Sequence, residues 1–148
     1  MDEKVKVVVL GTGQMGSGII RLLLQKPGIE LVGVYGRRVH RIGTDVGTAV
    51  GLATTIGVQI TNDLPGLLGQ TKPHVVIQAT CSRVIDAVDE ITAALHQGAN
   101  VISIAEEMAY PAYQAPPLAA AMHQLAMENR VTVVGTGINP GFVLDLLV

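Results

Sequence analysis

"VKVVVLGTGQMGSGII", residues 5–20, decides how the rest of the chain is read. Residues 5–10 form a short, nearly continuous β-branched run, the pattern of a strand buried on both faces. Residues 15–25 then place Ile19, Ile20, Leu22, Leu23 and Leu24 in a helical stretch, which Pro27 and Gly28 end. Between strand and helix lies "GTGQMG", with Gly11, Gly13 and Gly16 in G-x-G-x-x-G spacing. The bare spacing is a weak signal, and the strand before it and helix after it give it meaning. Gly11 permits a tight turn, Gly13 lets backbone amides approach a pyrophosphate, and Gly16 lets the helix pack close to the strand. The helix start supplies free N–H groups and the positive end of a dipole. The stretch therefore predicts a dinucleotide-binding loop of Gly11, Thr12, Gly13, Gln14, Met15 and Gly16. The plainer alternative is a glycine-rich turn that holds no ligand.

The remaining pattern alternates in the same way. Residues 29–35, 58–61, 75–79, 101–105 and 131–135 read as further strands. Val84, Val88, Ile91 and Leu95 recur at helical spacing, so residues 83–97 are predicted helical, with Gly98 as the stop. Residues 116–129 are an Ala- and Met-rich helix that starts at a proline pair. Residues 42–56 are glycine-rich and ambiguous, with a short helix against the sheet as one reading. Six strands alternating with helices predict an α/β fold of Rossmann type: a doubly wound, mostly parallel six-stranded sheet with helices on both faces. Ligands of such sheets bind beyond the carboxyl ends of the strands, near the point where strand order reverses. Residues 1–137 are assigned to this domain, and 138–148 to the start of a linker helix.

Composition narrows the classes. With 148 residues the chain has the size of one domain, able to bury roughly two-thirds of its unfolded surface. Apolar residues are abundant but Trp is absent, so Val, Ile, Leu and Ala must build the core. Ten Lys and Arg against twelve Asp and Glu leave a net charge of −2, which does not favour nucleic acid or an anionic membrane as partner. Cys81 is the lone cysteine, which excludes an intrachain disulfide framework and suits a reducing cytoplasm. No apolar run reaches membrane-spanning length, and the start of the chain lacks the organisation of a signal peptide. His74, His96 and His123 have no ligand spacing with Cys81 or with one another, so no metal site is expected.

The segment after the second strand is unusual. An acidic residue there accepts hydrogen bonds from the adenosine ribose. This chain instead has "GRRVHR", residues 36–41. Arg37 and Arg38 are suited to a 2′-phosphate or to stacking on adenine, which predicts NADP in preference to NAD. Arg37, nearer the strand end, is the first candidate, and His40 and Arg41 add positive field. The alternative is a solvated basic loop with NAD held by backbone contacts.

Three further strand ends face the same crevice. Thr80, Cys81 and Ser82 follow the fourth strand and are expected to contact the cofactor, with Cys81 a packing residue rather than a redox one. Glu106 and Glu107 follow the fifth strand, as a solvated pair or as site carboxylates for a cationic substrate or a proton. Tyr110 is a candidate for substrate contact or for packing. Asn139, before Pro140 and Gly141, is a candidate helix cap or a ligand of substrate or nicotinamide carboxamide.

"GTGQMGSGI", "VISIAEEMAYP" and "GTGINPGFVLDLLV" together resemble the N-terminal half of the 2,4-diaminopentanoate dehydrogenases, a family related to dihydrodipicolinate reductases. The first segment is shared by many dehydrogenases, and the other two are more specific. The resemblance runs over the whole chain. It implies NAD(P)-dependent oxidative deamination of a short-chain diamino acid, with a reductase of a cyclic imine or a non-catalytic dinucleotide-binding module as alternatives. It carries over no catalytic residue beyond Asn139, a loose positional parallel to the reductases in the loop after the sixth strand, so Glu106 and Glu107 stay candidates. It also implies a second, α+β domain that shapes the substrate pocket and forms homo-oligomers. Against that pattern the ending "FVLDLLV" reads as a helix cut short. Phe142, Val143, Leu144, Leu146, Leu147 and Val148 would then lack cover, which predicts association or poor solubility.

Overall fold

The computed structural model describes residues 3–147. β1 (Val5–Leu10) lies at the centre of a six-stranded sheet, hydrogen-bonded on one side to β2 (Ile29–Tyr35) and on the other to β4 (Val75–Gln78). β3 (Ile60–Thr61) flanks β2, while β5 (Asn100–Ser103) and β6 (Val133–Gly135) extend the sheet beyond β4. Every one of these pairings is parallel, and the order is β3-β2-β1-β4-β5-β6. The Rossmann-type fold predicted from the strand–helix alternation is the fold observed. The chain winds outward from β1 to β3, then returns to the other side of β1, so strand order reverses between β1 and β4. A crevice opens there beyond the strand ends.

The apolar run of β1 explains both halves of the core. Side chains alternate across a strand. Val8 and Leu10 pack on one face with Leu68, Val84, Ile91 and Met122, under the helices α3 (Leu64–Thr71), α4 (Val84–His96) and α6 (Pro116–Asn129). Val7 and Val9 pack on the other with Ile20, Val46 and Val50, under α1 (Gln14–Leu23) and α2 (Val46–Ala49). At roughly 2 kcal/mol for each fully buried Val, Leu or Ile, this two-sided burial is the main stabilising term.

Several boundaries moved. The third strand keeps only Ile60–Thr61, because residue 59 instead makes an antiparallel bridge with Asp45 at the edge. α3 had no counterpart among the elements expected from sequence. Its cue is Asp63, whose side chain accepts from the Gly66 amide, followed by Pro65 in the first turn. A short helix α5 (Pro111–Gln114) also precedes α6. Ile138–Leu146 is a wide helix with i to i+5 bonds, Phe142 N–H to Gly137 C=O at 2.8 Å among them. Asn139 breaks it, at φ −130° and ψ 118°, since the residue before proline is driven out of the helical region. Among the described residues no helix is long and apolar enough to cross a membrane.

Candidate functional site

The sheet register brings the last residue of each strand into one row: Thr61, Tyr35, Leu10, Gln78, Ser103 and Gly135. The glycine loop rises from the middle of that row. Gly11 has φ +119°, and a Cβ there would strike the Ala79 carbonyl. A Cβ on Gly16 would strike the Gly11 carbonyl, so α1 crosses β1 at backbone contact. Gly13 differs from both. It is the N-cap of α1 with an ordinary φ of −76°, and no atom lies within 4 Å of where its Cβ would be. No side chain caps α1. The first-turn amides therefore point into open space, which is the arrangement an anion needs.

Beside the loop, the basic segment is split by its partners. Gly36 is packed tightly, since a Cβ would sit 3.0 Å from Thr12 Cγ2 and 3.1 Å from Ile60 Cγ2. An acidic side chain at position 36 would thus press on the loop. Arg41 Nη1 donates to the Thr12 carbonyl at 2.7 Å and braces the loop from below. Arg37 turns toward α4 and donates to Glu90 Oε1 from Nη2 (2.7 Å) and Nε (3.1 Å). Partial burial pulls the Arg37 pKa down, but the hydrogen bond and charge of Glu90 more than reverse it, leaving it above the usual arginine value. Arg38 is exposed and makes no side-chain hydrogen bond or ion pair among the described residues.

Under the crevice lies a polar cluster that the sequence reading did not anticipate. Gln78 and Ser103, both fully buried, share a 2.6 Å bond from Ser103 Oγ to Gln78 Oε1. Gln78 Nε2 donates to Thr80 Oγ1 at 2.7 Å and lies 3.1 Å from Cys81 Sγ. The Thr80 hydroxyl donates to Glu90 Oε2, so each oxygen of Glu90 has a partner. No described buried side-chain N or O lacks a hydrogen bond, as a polar cluster in a low-dielectric interior requires. Glu90 had a visible cue. It sits three residues after Ala87 and four before Ala94, on the inward face of α4. A charge amid an apolar stripe implies a buried partner.

The cleft itself has a volume of about 270 Å³ and is lined by Gly13, Gln14, Met15, Ala79, Thr80, Cys81, Ser82, Ile104 and Glu106. Gly13, Gln14 and Met15 of the loop, the Thr80–Cys81–Ser82 turn and one of the two glutamates therefore line one cleft, while Gly11, Thr12 and Gly16 lie outside that lining. The glutamates have separate tasks. Glu106 is exposed at the cleft. Glu107 Oε2 instead accepts from the Val84 amide at 2.8 Å and caps α4. Tyr110 lies outside the cleft lining and stacks on Tyr113, with ring centroids 6.4 Å apart. Asn139 is exposed and also outside that lining. A larger apolar hollow of about 520 Å³ runs along β6, past Met108, Met122 and Met127, away from this chemistry. Among the described residues no three His, Cys, Asp or Glu side chains gather as a metal site.

Residues 5–104 match the family described as dihydrodipicolinate reductase, N-terminus. The chain belongs to this family. That domain matches the glycine loop, the basic segment and the buried cluster as far as Ser103 in one continuous span. Over its whole length the chain is similar to a 2,4-diaminopentanoate dehydrogenase of Acetoanaerobium sticklandii, 43% identical over 99% of this chain and 41% of that protein. It is 30% identical to an amine dehydrogenase of Streptomyces virginiae, over 97% of this chain and 40% of the relative. Among solved structures, an amine dehydrogenase from Mycobacterium smegmatis superposes with a TM-score of 0.87 at 34% identity, over 90% of this chain and 39% of that one. The chain thus spans about two-fifths of the length of these relatives. The family and these likenesses agree with the sheet order in making this a dinucleotide-binding domain.

Proposed function

We propose that the protein is an NAD(P)-dependent oxidoreductase that oxidatively deaminates a short-chain diamino acid of the 2,4-diaminopentanoate type. The observation that carries the reading is the cleft. An uncapped helix start at Gly13 faces the Thr80–Ser82 turn, and the Glu106 carboxylate stands beside them. The first-turn amides of α1 fit a pyrophosphate, and the open volume over Gly13 leaves room for its approach. A bound nicotinamide supplies the hydride acceptor. Glu106 is then placed to attract an ammonium group of the substrate or to take a proton from it. Loss of hydride from the amine-bearing carbon leaves an imine, and water releases it as ammonia and a carbonyl. Arg38, with Nη1 of Arg37, supports a preference for NADP as donors to a 2′-phosphate. Residues 138–148 lead toward a substrate domain, to which Tyr110 and Asn139 would contribute at the boundary.

The family match favours a second reading, reduction of a cyclic imine such as dihydrodipicolinate. Rates with 2,4-diaminopentanoate and NADP⁺, against dihydrodipicolinate and NADPH, separate the two. Turnover of the diamino acid is expected. Turnover of the cyclic imine alone would overturn the first reading.

A further inference from the structure

The carboxylate that many dinucleotide folds carry at the end of the second strand is missing from residue 36. A carboxylate is nonetheless present nearby, delivered from α4. Glu90 lies 53 residues from Arg37 in sequence, and its side chain is only 7% exposed against 50% for Arg37. The acid is anchored from behind: Thr80 holds Oε2, Gln78 holds Thr80, and Ser103 holds Gln78. Glu90 therefore has no freedom to swing away when a ligand arrives. Its Oε1 occupies the Nε–Nη2 edge of Arg37, the edge a phosphate would engage in a bidentate fashion. It also offsets the charge of Arg37 at the place where a 2′-phosphate or a ribose would sit.

We propose that Glu90 is a positioning residue that sets the balance between NADPH and NADH by holding and partly neutralising Arg37. Resting on the dinucleotide reading above, it makes cofactor choice a property of a pair spanning two elements. Arg37 is the partly compensated charge of the pair, and Arg38, exposed and without a side-chain partner among the described residues, is the uncompensated one. Without Glu90, Arg37 is free to bind the 2′-phosphate with its full fork, and NADPH gains on NADH.

The test is a calorimetric titration of NADPH and NADH on wild type, Glu90→Gln, Arg37→Ala and the double variant. Glutamine retains an acceptor for Thr80 while removing the charge. The ratio of NADPH to NADH affinity is expected to rise about five- to tenfold in Glu90→Gln, as for release of one charged hydrogen bond. A purely structural Glu90 would weaken both nucleotides alike and leave the ratio within twofold of wild type, which would overturn the proposal. If Glu90→Gln fails to fold, Glu90→Asp, which draws the carboxylate back from Arg37, takes its place; the same rise in the ratio is expected, and an unchanged ratio would overturn the proposal. In the double variant Arg37, through which Glu90 acts, is gone, so its ratio must match that of Arg37→Ala within twofold, and a higher ratio would show Glu90 acting without Arg37 and overturn the proposal. Should wild type bind neither nucleotide, the dinucleotide reading itself fails, a result distinct from either of these.

Discussion

The glycine loop and the Arg37–Glu90 corner sit side by side over the same row of strand ends, yet they are built from different material. The loop is backbone: Gly11 and Gly16 exist for what a Cβ would hit, and Gly13 leaves its space empty. The corner is side chain: a guanidinium, two carboxylate oxygens, two hydroxyls and an amide, drawn from β4, β5, α4 and the loops after β2 and β4. A backbone site tolerates no added atom but needs no charge. A side-chain site is set by charge and can be retuned by one substitution. The loop should therefore respond to volume and the corner to electrostatics.

The largest effect is expected where backbone meets backbone. Gly16→Ala forces α1 away from the Gly11 carbonyl. It should cost about 2 kcal/mol or more in urea unfolding and abolish nucleotide binding. Survival of both would mean the loop is not a backbone device. Next comes the corner. Glu90→Ala leaves Arg37 and Thr80 without their acceptor. A loss of about 2 kcal/mol is expected in the same assay, discounted because Arg37 is half exposed.

A smaller contrast separates the adjacent glutamates. Glu107→Ala removes the cap of α4 and should destabilise by about 1 kcal/mol. Glu106→Ala should leave the melting temperature unchanged and raise the KM for a cationic substrate. The reverse pattern would exchange their roles. Smallest is a pH effect at α2. Desolvation pushes the Asp45 pKa up, but the amides of Ile56, Gly57, Gly47 and Thr48 outweigh it and hold the carboxyl below its usual value. A lowered folded pKa means the stabilisation is present above the unfolded value of about 4 and is lost as pH falls through the folded one. Melting temperature against pH should fall less steeply below about pH 4 in Asp45→Ala than in wild type, and parallel curves would contradict this.

The same contrast explains what was legible in the sequence. Glycine at 11, 13 and 16 reports a backbone requirement by residue type and short spacing, so loop, strand and helix are readable together. The core of β1 is readable because its apolar run has to be covered on both faces. The corner depends on residues 37, 78, 80, 90 and 103, which only the folded sheet brings together. Arg37 was visible as a charge, but its partner across 53 residues was not. "EE" at 106–107 could not say which carboxylate turns to α4, since that rests on the position of the Val84 amide. α3 left a cue in Asp63 and Pro65, but mixed glycines weaken its helical period.

Gly13 offers the most direct test. Its φ of −76° suits any residue and nothing lies within 4 Å of its Cβ position, so Gly13→Ala should fold as wild type does. The added methyl nevertheless occupies the space claimed for the pyrophosphate. Titration with NADPH and NADH should show both affinities reduced at least about tenfold, equivalent to about 1.4 kcal/mol, at an unchanged melting temperature. Wild-type affinity for both nucleotides in Gly13→Ala would contradict the assignment of the dinucleotide to this loop.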